Sequence, residues 1–428
     1  MKKLNVLIAV IFLIGIMGCA GGDDAPSLWA WLQAPSITSA NNTTFAEGAA
    51  GTFTFTATGR PAPILTFSGS LPNGVTFNAV IGVLSGTPSF GTAGVYPLTV
   101  TASNGVSPNA TQAFTLTVAA QPITSLTQVA EIEDNGAEIA ICRGNYVYTV
   151  GWNATANSFN IYDMSIPTSP VLKGHYNIGN GWGLALNGNY AYIHTDGGGD
   201  GIFTSRTVGV MNITDPTNPI PVMENDAGTH KAYQTYYHNG YVYAPSWNII
   251  GIYRVSDPAT LVPVTNITTS NIKWLAFSGY YMYGIDHYTF RIWDINNPAD
   301  PDEIGSIFDA RLNSGGGLAI KGNYVFAMGS DHEILVFDVS DKNHPTLVTS
   351  LTLISGISAH FNEARILGNY LLFTGSDDFY VVNITNPSAP VEVTSIRLSN
   401  AHGWGFDVLN ERYAIVADNP GYRVIQLW

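Results

Sequence analysis

Residues 322–340, which read GNYVFAMGSDHEILVFDVS, contain the pattern that decides the fold. The stretch opens on a Gly-Asn-Tyr turn, continues as an apolar strand, and reaches a second apolar strand, Ile334–Phe337, that runs into Asp338. Glycine supplies the backbone freedom of a tight hairpin, and aspartate hydrogen-bonds its own backbone at a turn. A strand without polar alternation is typical of a sheet covered on both faces. The stretch therefore predicts a buried antiparallel hairpin.

The same hairpin opening recurs along the C-terminal part of the chain. Its first tyrosine stands at positions 146, 190, 241, 281, 324, 370 and 413, so the unit recurs every 40 to 51 residues. Four-stranded blades recur roughly every 40–45 residues in β-propellers. The repeat predicts an all-β fold whose C-terminal module, residues 127–428, is a seven-bladed β-propeller.

A proline turn follows the second apolar strand of most units, as at 212–219, 294–301 and 383–390. Lys342 replaces the first proline of its turn, and Leu261 replaces the second of another. The combined pattern resembles the LVIVD-repeat family of β-propellers, and the resemblance spans residues 127–428. It implies the same propeller architecture as the spacing does.

The two ends of this module complement each other. The seventh unit stops at 424–428, before a proline turn or an outer strand, and a matching outer strand stands at 127–132. Pairing the first strand with the last unit would close the ring and remove open sheet edges. We therefore expect residues 127–133 to complete the seventh blade.

A smaller all-β module precedes the propeller, over residues 35–119, with 120–126 as a linker. Phe and Leu alternate with Thr at 52–57 and at 114–118, which is typical of half-buried strands. Turn-forming clusters separate such runs, so the segment predicts a β-sandwich. The strings at 69–77, 82–88 and 94–105 resemble the immunoglobulin-like modules of bacterial surface proteins, and the resemblance implies a spacer or an adhesive unit.

The N-terminus predicts a lipid anchor. Lys2 and Lys3 precede an apolar run, residues 7–16, that is too short for a permanent membrane helix and is typical of a cleaved signal. The run ends in Ile16-Met17-Gly18-Cys19, which resembles the bacterial lipobox. The resemblance implies a signal peptide at 1–18, lipidation of Cys19, and a flexible tether at 19–34. The alternative is an ordinary secretory signal with an incidental cysteine.

Charge and cysteine content exclude several classes of function. The net charge is −14, with no Lys/Arg cluster beyond the N-terminus, so nucleic acid is not an expected partner. Of the two cysteines, Cys19 is assigned to lipid, which leaves Cys142 as a small buried hydrophobe without a disulfide partner.

The mouth of the central channel is the expected ligand site. Aligning the units gives the first strands one set of equivalent residues: Glu138, Trp182, Tyr233, Lys273, Gly316, Asn362 and Trp404. Further polar and aromatic residues stand near them: His230, Lys231, Trp274, His360, Glu363 and His402. We predict a ligand site at Glu138, Trp182, Tyr233, Lys273, His360, His402 and Trp404, because aromatic and polar groups at a cavity mouth are typical of one.

Two alternatives remain for this region. The tryptophans could simply plug and pack the channel. His360, His402, Glu138 and Glu363 could instead hold a metal ion if they converge, since imidazole and carboxylate bind several divalent ions.

Other polar clusters predict turns and loops. Asp331-His332-Glu333 occupies a hairpin slot shared by several units, so we interpret it as a turn. Asp196–Asp200 lies in the longest unit and supplies only two carboxylates, which falls short of a calcium site and favours a loop. The motifs of serine hydrolases, zinc proteases, phosphate loops and haem attachment do not occur, and the sequence points to no cofactor.

The sequence favours a membrane-anchored binding scaffold of the bacterial cell envelope, at the outer membrane or the cell surface. In this hypothesis the propeller binds a protein or a glycan, and the immunoglobulin-like module holds it away from the lipid. One alternative is a propeller hydrolase or lyase with its site at the channel mouth, since fold does not determine function. Another is a structural component of the envelope.

Overall fold

The protein was analysed as a computed structural model. The structure describes residues 31–134, 137–151, 158–196, 202–203, 206–226, 233–312, 316–330, 332–354, 361–375, 377–398, 405–418 and 421–428. The chain divides into two compact units, of which the first holds most of residues 1–119 and the second holds residues 120–428 together with 46–48 and 89–93. The signal peptide, Cys19 and most of the tether lie outside the described residues.

The first unit is a β-sandwich with an aromatic core. One sheet has the strand order β2-β9-β8-β5, a second has β3-β7-β6, and β1 pairs with β4. Phe55 packs edge-on against Phe53 and Phe114, with ring centroids 4.9 and 4.7 Å apart. The threonines between these phenylalanines are more accessible, which confirms the predicted alternation. The strands are β1 (Gln33–Ile37), β2 (Asn42–Ala46), β3 (Gly51–Thr54), β4 (Ala57–Arg60), β5 (Ile64–Ser68), β6 (Val75–Asn78), β7 (Val83–Gly86), β8 (Gly94–Ser103) and β9 (Ala110–Ala119).

The second unit is a β-propeller. Its described residues form seven four-stranded antiparallel sheets, which confirms the expected architecture. Six blades use four consecutive strands each.

The strands of blades 1 to 3 are β11 (Ala137–Arg143), β12 (Tyr146–Gly151), β13 (Ser158–Asp163), β14 (Val171–Asn177), β15 (Gly181–Asn187), β16 (Tyr190–Asp196), β17 (Arg206–Asn212), β18 (Ile220–Asp226), β19 (Tyr236–His238), β20 (Tyr241–Pro245), β21 (Ile249–Asp257) and β22 (Thr260–Thr268). The strands of blades 4 to 6 are β23 (Leu275–Ser278), β24 (Tyr281–Asp286), β25 (Thr289–Asp294), β26 (Asp302–Phe308), β27 (Leu318–Lys321), β28 (Tyr324–Met328), β29 (Glu333–Asp338), β30 (Thr346–Thr352), β31 (Phe361–Leu367), β32 (Tyr370–Gly375), β33 (Asp378–Asn383) and β34 (Val391–Arg397). Blade 7 contains β10 (Thr127–Glu133), β35 (Phe406–Leu409), β36 (Tyr413–Asp418) and β37 (Gly421–Gln426).

Strand β10 closes the ring, as its sequence predicts. It pairs antiparallel with β37, from Thr127 opposite Gln426 to Glu133 opposite Gly421. Ile132 is buried in a cluster that includes Tyr422 and Val424. Blade 7 is therefore assembled from both ends of the module, and β37 does not present an open edge.

The two landmarks of the repeat hydrogen-bond to each other. In the fifth blade the carboxylate of Asp338 accepts a hydrogen bond from the amide of Ser340 at 2.8 Å, and the next amide back, that of Val339, donates to the carbonyl of Asn323 at 2.8 Å. Equivalent backbone bonds join the first hairpin to the end of the third strand in all seven blades, at 2.7–2.9 Å. The Gly-Asn-Tyr turn and the Asp or Asn turn therefore lie side by side, which explains why both recur.

The first strands line the centre of the ring. Strand β11 contacts both β15 and β35, and β27 contacts both β23 and β31. Such close contact requires glycine at some positions. A Cβ added to Gly317 would lie 1.9 Å from the carbonyl oxygen of Asn362 in the next blade, so a side chain there would force the blades apart.

Two further expectations concern the edges of these blades. His332 has a positive φ of 64° and Glu333 donates its amide to the Ser330 carbonyl, so these residues form the predicted hairpin turn, while Asp331 lies outside the described residues. In the predicted linker, Ile123 is buried and its amide donates to the Tyr370 hydroxyl at 3.2 Å. In the part of the chain that the structure describes, no helix has the length and apolar character needed to cross a membrane.

Candidate functional site

The candidate site lies at the end of the ring where the first strands begin, which we call the entry face. The antiparallel order of each blade places two kinds of connection at this face: those between the second and third strands, and those from a fourth strand to the next blade. The Gly-Asn-Tyr hairpins lie at the opposite face. Four predicted ligand residues that the structure describes precede or begin a first strand and so belong to the entry face: Glu138, Trp182, Tyr233 and Lys273.

Two of the predicted residues contact each other. The Nζ of Lys273 lies 5.3 Å from the ring centroid of Tyr233, which is a cation–π distance. The indole N–H of Trp247, in the hairpin between β20 and β21, donates to the Tyr233 hydroxyl. Burial raises the pKa of Tyr233 to about 12, and burial lowers the pKa of Lys273. We call Tyr233, Trp247 and Lys273 the mouth cluster.

Exposed apolar side chains share the entry face with the mouth cluster. Trp247 is 52% exposed, and Phe308 at the end of β26 is 68% exposed. Tyr288, in the hairpin between β24 and β25, and Ile354, after β30, are exposed as well. Blades 3 to 5 therefore present large apolar side chains to solvent at this end of the ring. Large exposed apolar patches are typical of sites at which a protein binds a partner.

Of the remaining predicted ligand residues, the structure describes Glu138 and Trp182. Glu138 and Asn362 are buried, and Trp182 is half-buried. Trp274, which follows Lys273, is buried. Several residues named from the sequence lie outside the described residues: His230, Lys231, His360, His402 and Trp404.

Of the four residues that could hold a metal ion by sequence, the structure describes Glu138 and Glu363. Among the described residues, no group of three or more His, Cys, Asp or Glu side chains is arranged to hold a metal ion. Two of the proposed ligands, His360 and His402, lie outside those residues. The side chain of Asp196 and residues 197–201 are likewise outside the description, so the loop interpretation of Asp196–Asp200 stays a prediction.

A charged cluster that the sequence reasoning missed lies deeper in the channel. The guanidinium of Arg365 on β31 contacts the carboxylate of Glu363 at 2.6 Å and that of Asp407 on β35 at 3.3 Å. Its Nε also donates to the carbonyl of Phe406 at 3.1 Å. Three groups from two blades thus fix the plane of one guanidinium.

Both carboxylates have partners at each oxygen. Glu363 accepts from Arg365 at one oxygen and from the Phe406 amide at the other, at 2.9 Å. Asp407 accepts from the amide of Cys142 at 2.8 Å and from the amide of Val408 at 2.9 Å. The carboxylates therefore hold Arg365 in place.

Burial is the main cause of the pKa shifts of Glu363 and Cys142. Burial raises the pKa of Glu363 to about 7, although Arg365 opposes the shift. Burial and the neighbouring Asp407 raise the pKa of the Cys142 thiol well above its ordinary value. Cys142 is partly accessible and packs against the apolar residues between blades 7 and 1, in keeping with its interpretation as a small hydrophobe.

The charged cluster is adjacent to a cavity of about 410 Å³. Residues of the first strands of four consecutive blades, 3 to 6, line it, including Tyr236, Trp274, Ala319 and Arg365. Pockets of this size bind small ligands in other proteins, where a few polar groups fix the ligand among apolar walls. The channel thus contains a site in addition to the mouth cluster.

One sequence signal could have found this site. Register with the second strand makes Tyr236, Ala276, Ala319 and Arg365 equivalent, since they pair with Tyr243, Tyr283, Phe326 and Leu372. A charged side chain at a position that blades 4 and 5 give to alanine indicates a special environment.

Comparison with known proteins supports both modules. The family model "Putative Ig domain" matches residues 34–119. The model of the LVIVD repeat matches residues 137–178, 178–199, 314–352 and 363–397. No curated protein matches the chain significantly.

Solved structures show the propeller fold at low sequence identity. The β-propeller domain of Cps50 (Swd1) from Myceliophteria thermophila is 10% identical, with a TM-score of 0.54 over 71% of this chain and 100% of that chain. The WD40 domain of coronin from Toxoplasma gondii is 11% identical, with a TM-score of 0.53 over 72% of this chain and 87% of that chain. The chain therefore combines an N-terminal immunoglobulin-like domain with a β-propeller built from LVIVD repeats.

Proposed function

We propose that the protein is a lipid-anchored binding scaffold of the bacterial cell envelope, whose propeller engages a protein partner through the entry face. The observation that supports it is the mouth cluster, in which Trp247 is held by Tyr233 and remains half exposed. An ordered, exposed tryptophan is typical of an interface hot spot, because it offers a large contact area at low entropic cost. The apolar residues Tyr288 and Phe308 extend the same face.

Lipid attachment at Cys19 supplies the location in this proposal, and the immunoglobulin-like module serves as the spacer. Several acyl chains on one residue give durable membrane attachment, since each buried methylene contributes about 0.8 kcal/mol. Replacing Cys19→Ser should move the full chain from the membrane fraction to the soluble fraction. If the variant remains in the membrane fraction, the anchor is elsewhere and this part of the proposal fails.

The partner is tested by crosslinking and affinity capture of the full chain from membranes. The test variant is Trp247→Ala, combined with Tyr288→Ala and Phe308→Ala. The matched control is Tyr280→Ala, because Tyr280 is 58% exposed on the opposite face of blade 4. Loss of hot-spot aromatics should weaken capture by roughly tenfold or more.

The control should recover the same stoichiometric partner as the native chain. Equal recovery by the entry-face variant and the control would refute a partner site at this face. Recovery of a polysaccharide instead of a protein would keep the face as a binding surface and correct the class of partner.

A further inference from the structure

The cavity inside the channel is lined by residues other than the three of the mouth cluster. It is bounded by β19, β23, β27 and β31, each of which is the first strand of its blade. Ala276 and Ala319 stand where the neighbouring blades place Tyr236 and Arg365. The space therefore exists because two blades contribute alanine between two that contribute large polar side chains.

The polar groups around the cavity differ in the hydrogen bonds that they already make within the protein. The oxygens of Glu363 and Asp407 already accept hydrogen bonds from Arg365 and backbone amides. The Tyr236 hydroxyl accepts from the Leu275 amide at 3.0 Å, so its own hydrogen remains available to donate. The Tyr236 hydroxyl is therefore one donor of this site.

Arg365 supplies a second donor. The Arg365 side chain keeps 34% of its surface accessible, and within the described chain its Nη1 donates to no protein group. A ligand that accepts hydrogen bonds would complete these groups.

The charges around the cavity and the aromatic residues that line it indicate which class of ligand can bind. Arg365 is already paired with two carboxyl groups, so the cluster offers an added ion no unpaired charge of opposite sign. A neutral ligand needs none. Trp274 and Phe277 give the cavity aromatic walls, on which the C–H faces of a sugar ring can pack.

We infer that the channel cavity binds a neutral saccharide of one or two sugar units. Arg365 and Tyr236 donate to its hydroxyl or carbonyl oxygens, and Glu363 and Asp407 position Arg365. This site is separate from the protein-binding face proposed above and does not depend on it.

The test is direct binding to the full chain by saturation-transfer NMR and calorimetry. The probes are glucose, galactose, mannose, N-acetylglucosamine, cellobiose and maltose, and the charged comparators are glucuronate and glucosamine. We expect at least one neutral probe to bind, and to bind more tightly than both comparators. Failure of every neutral probe, or tighter binding of a charged comparator, overturns the inference.

Variants place the binding in the cavity. Ala319→Phe fills the space without altering a charge and should weaken the affinity for the bound sugar at least tenfold. Tyr236→Phe keeps a ring and removes one donor, so it should weaken the affinity roughly fivefold. Trp247→Ala is the control at the mouth cluster and should leave sugar affinity unchanged while it lowers partner capture.

The outcomes separate the two proposals. Unchanged affinity in Ala319→Phe overturns the cavity site. If that variant does not fold, as judged by circular dichroism, Tyr236→Phe decides, and unchanged affinity there overturns it. A loss of affinity in Trp247→Ala equal to that in Tyr236→Phe also overturns it, because the sugar would then bind at the mouth.

Discussion

The closure of the ring by β10 gives a prediction whose size follows from the packing of one residue. Ile132 is 4% exposed and packs with Tyr422 and Val424 of β37 and with Ala140 of β11. Ile132→Ala removes three buried carbon atoms from a contact between blades 7 and 1. Substitutions of this kind cost about 2–5 kcal/mol, so we expect a loss of about 3 kcal/mol in the free energy of unfolding.

The assay is denaturant unfolding of the full chain, followed by tryptophan fluorescence. The control is Val129→Ala on the same strand, since Val129 is only half-buried and should cost clearly less. A cost for Ile132→Ala no larger than for Val129→Ala would refute the packing argument.

Removing the strand altogether tests closure itself. Deleting residues 127–133 exposes the backbone of β37, because the pairing from Gln426 to Gly421 is lost. An unpaired edge strand invites association with other chains. We expect a lower melting temperature or oligomers by light scattering, and a monomer with an unchanged melting temperature would rule out closure by β10.

Three further predictions concern the channel. Gly317→Ala should lower the melting temperature clearly, because its Cβ would lie 1.9 Å from the Asn362 carbonyl oxygen. The control, Gly284→Ala, should have a smaller effect, because the nearest atom to its Cβ would be 3.3 Å away. Equal melting temperatures for the two variants would contradict the close approach at Gly317. Burial raises the pKa of Glu363 from 4.5 to about 7, so the folded state retains a proton that the unfolded chain loses, and the free energy of unfolding should fall as the pH rises from about 4.5 to 7. Glu363→Gln should flatten that dependence in denaturation at a series of pH values, and an identical slope would show that another group titrates. Cys142 should react slowly with maleimide at pH 8 in the folded chain and rapidly in urea, since burial raises its thiol pKa, and equal rates would contradict that environment.

The fold could be predicted from the sequence because each repeat carries its own turn chemistry. Asp338 and Asn383 end apolar strands and accept from the amide two residues on, at 2.8 and 2.9 Å. These bonds are local, so the residues that make them stand close together in the sequence. The spacing of the units then determined the number of blades that the chain could form.

The site was less predictable, because a propeller joins residues that are distant in sequence. The alignment of units assigned Tyr233 and Lys273 to equivalent positions of consecutive blades, and in the structure their side chains are in contact. It did not identify Trp247, which lies in a different connection of the same blade. Nor could it show that Glu138 is buried rather than available at the mouth.

The charged cluster shows why a repeat obscures its own exceptions. Arg365 and Asp407 each stand in a first strand among apolar residues, and taken alone each suggests a solvent-facing side chain. Their ion pair depends on adjacent blades meeting at the channel, which is a property of the closed ring and not of either unit. At the equivalent positions of blades 4 and 5, Ala276 and Ala319 leave the cavity open, whereas Arg365 pairs with Glu363 and Asp407 and also lines that space. The ion pair alone accounts for an arginine at this position, and the proposed ligand uses the donor that the pair leaves over.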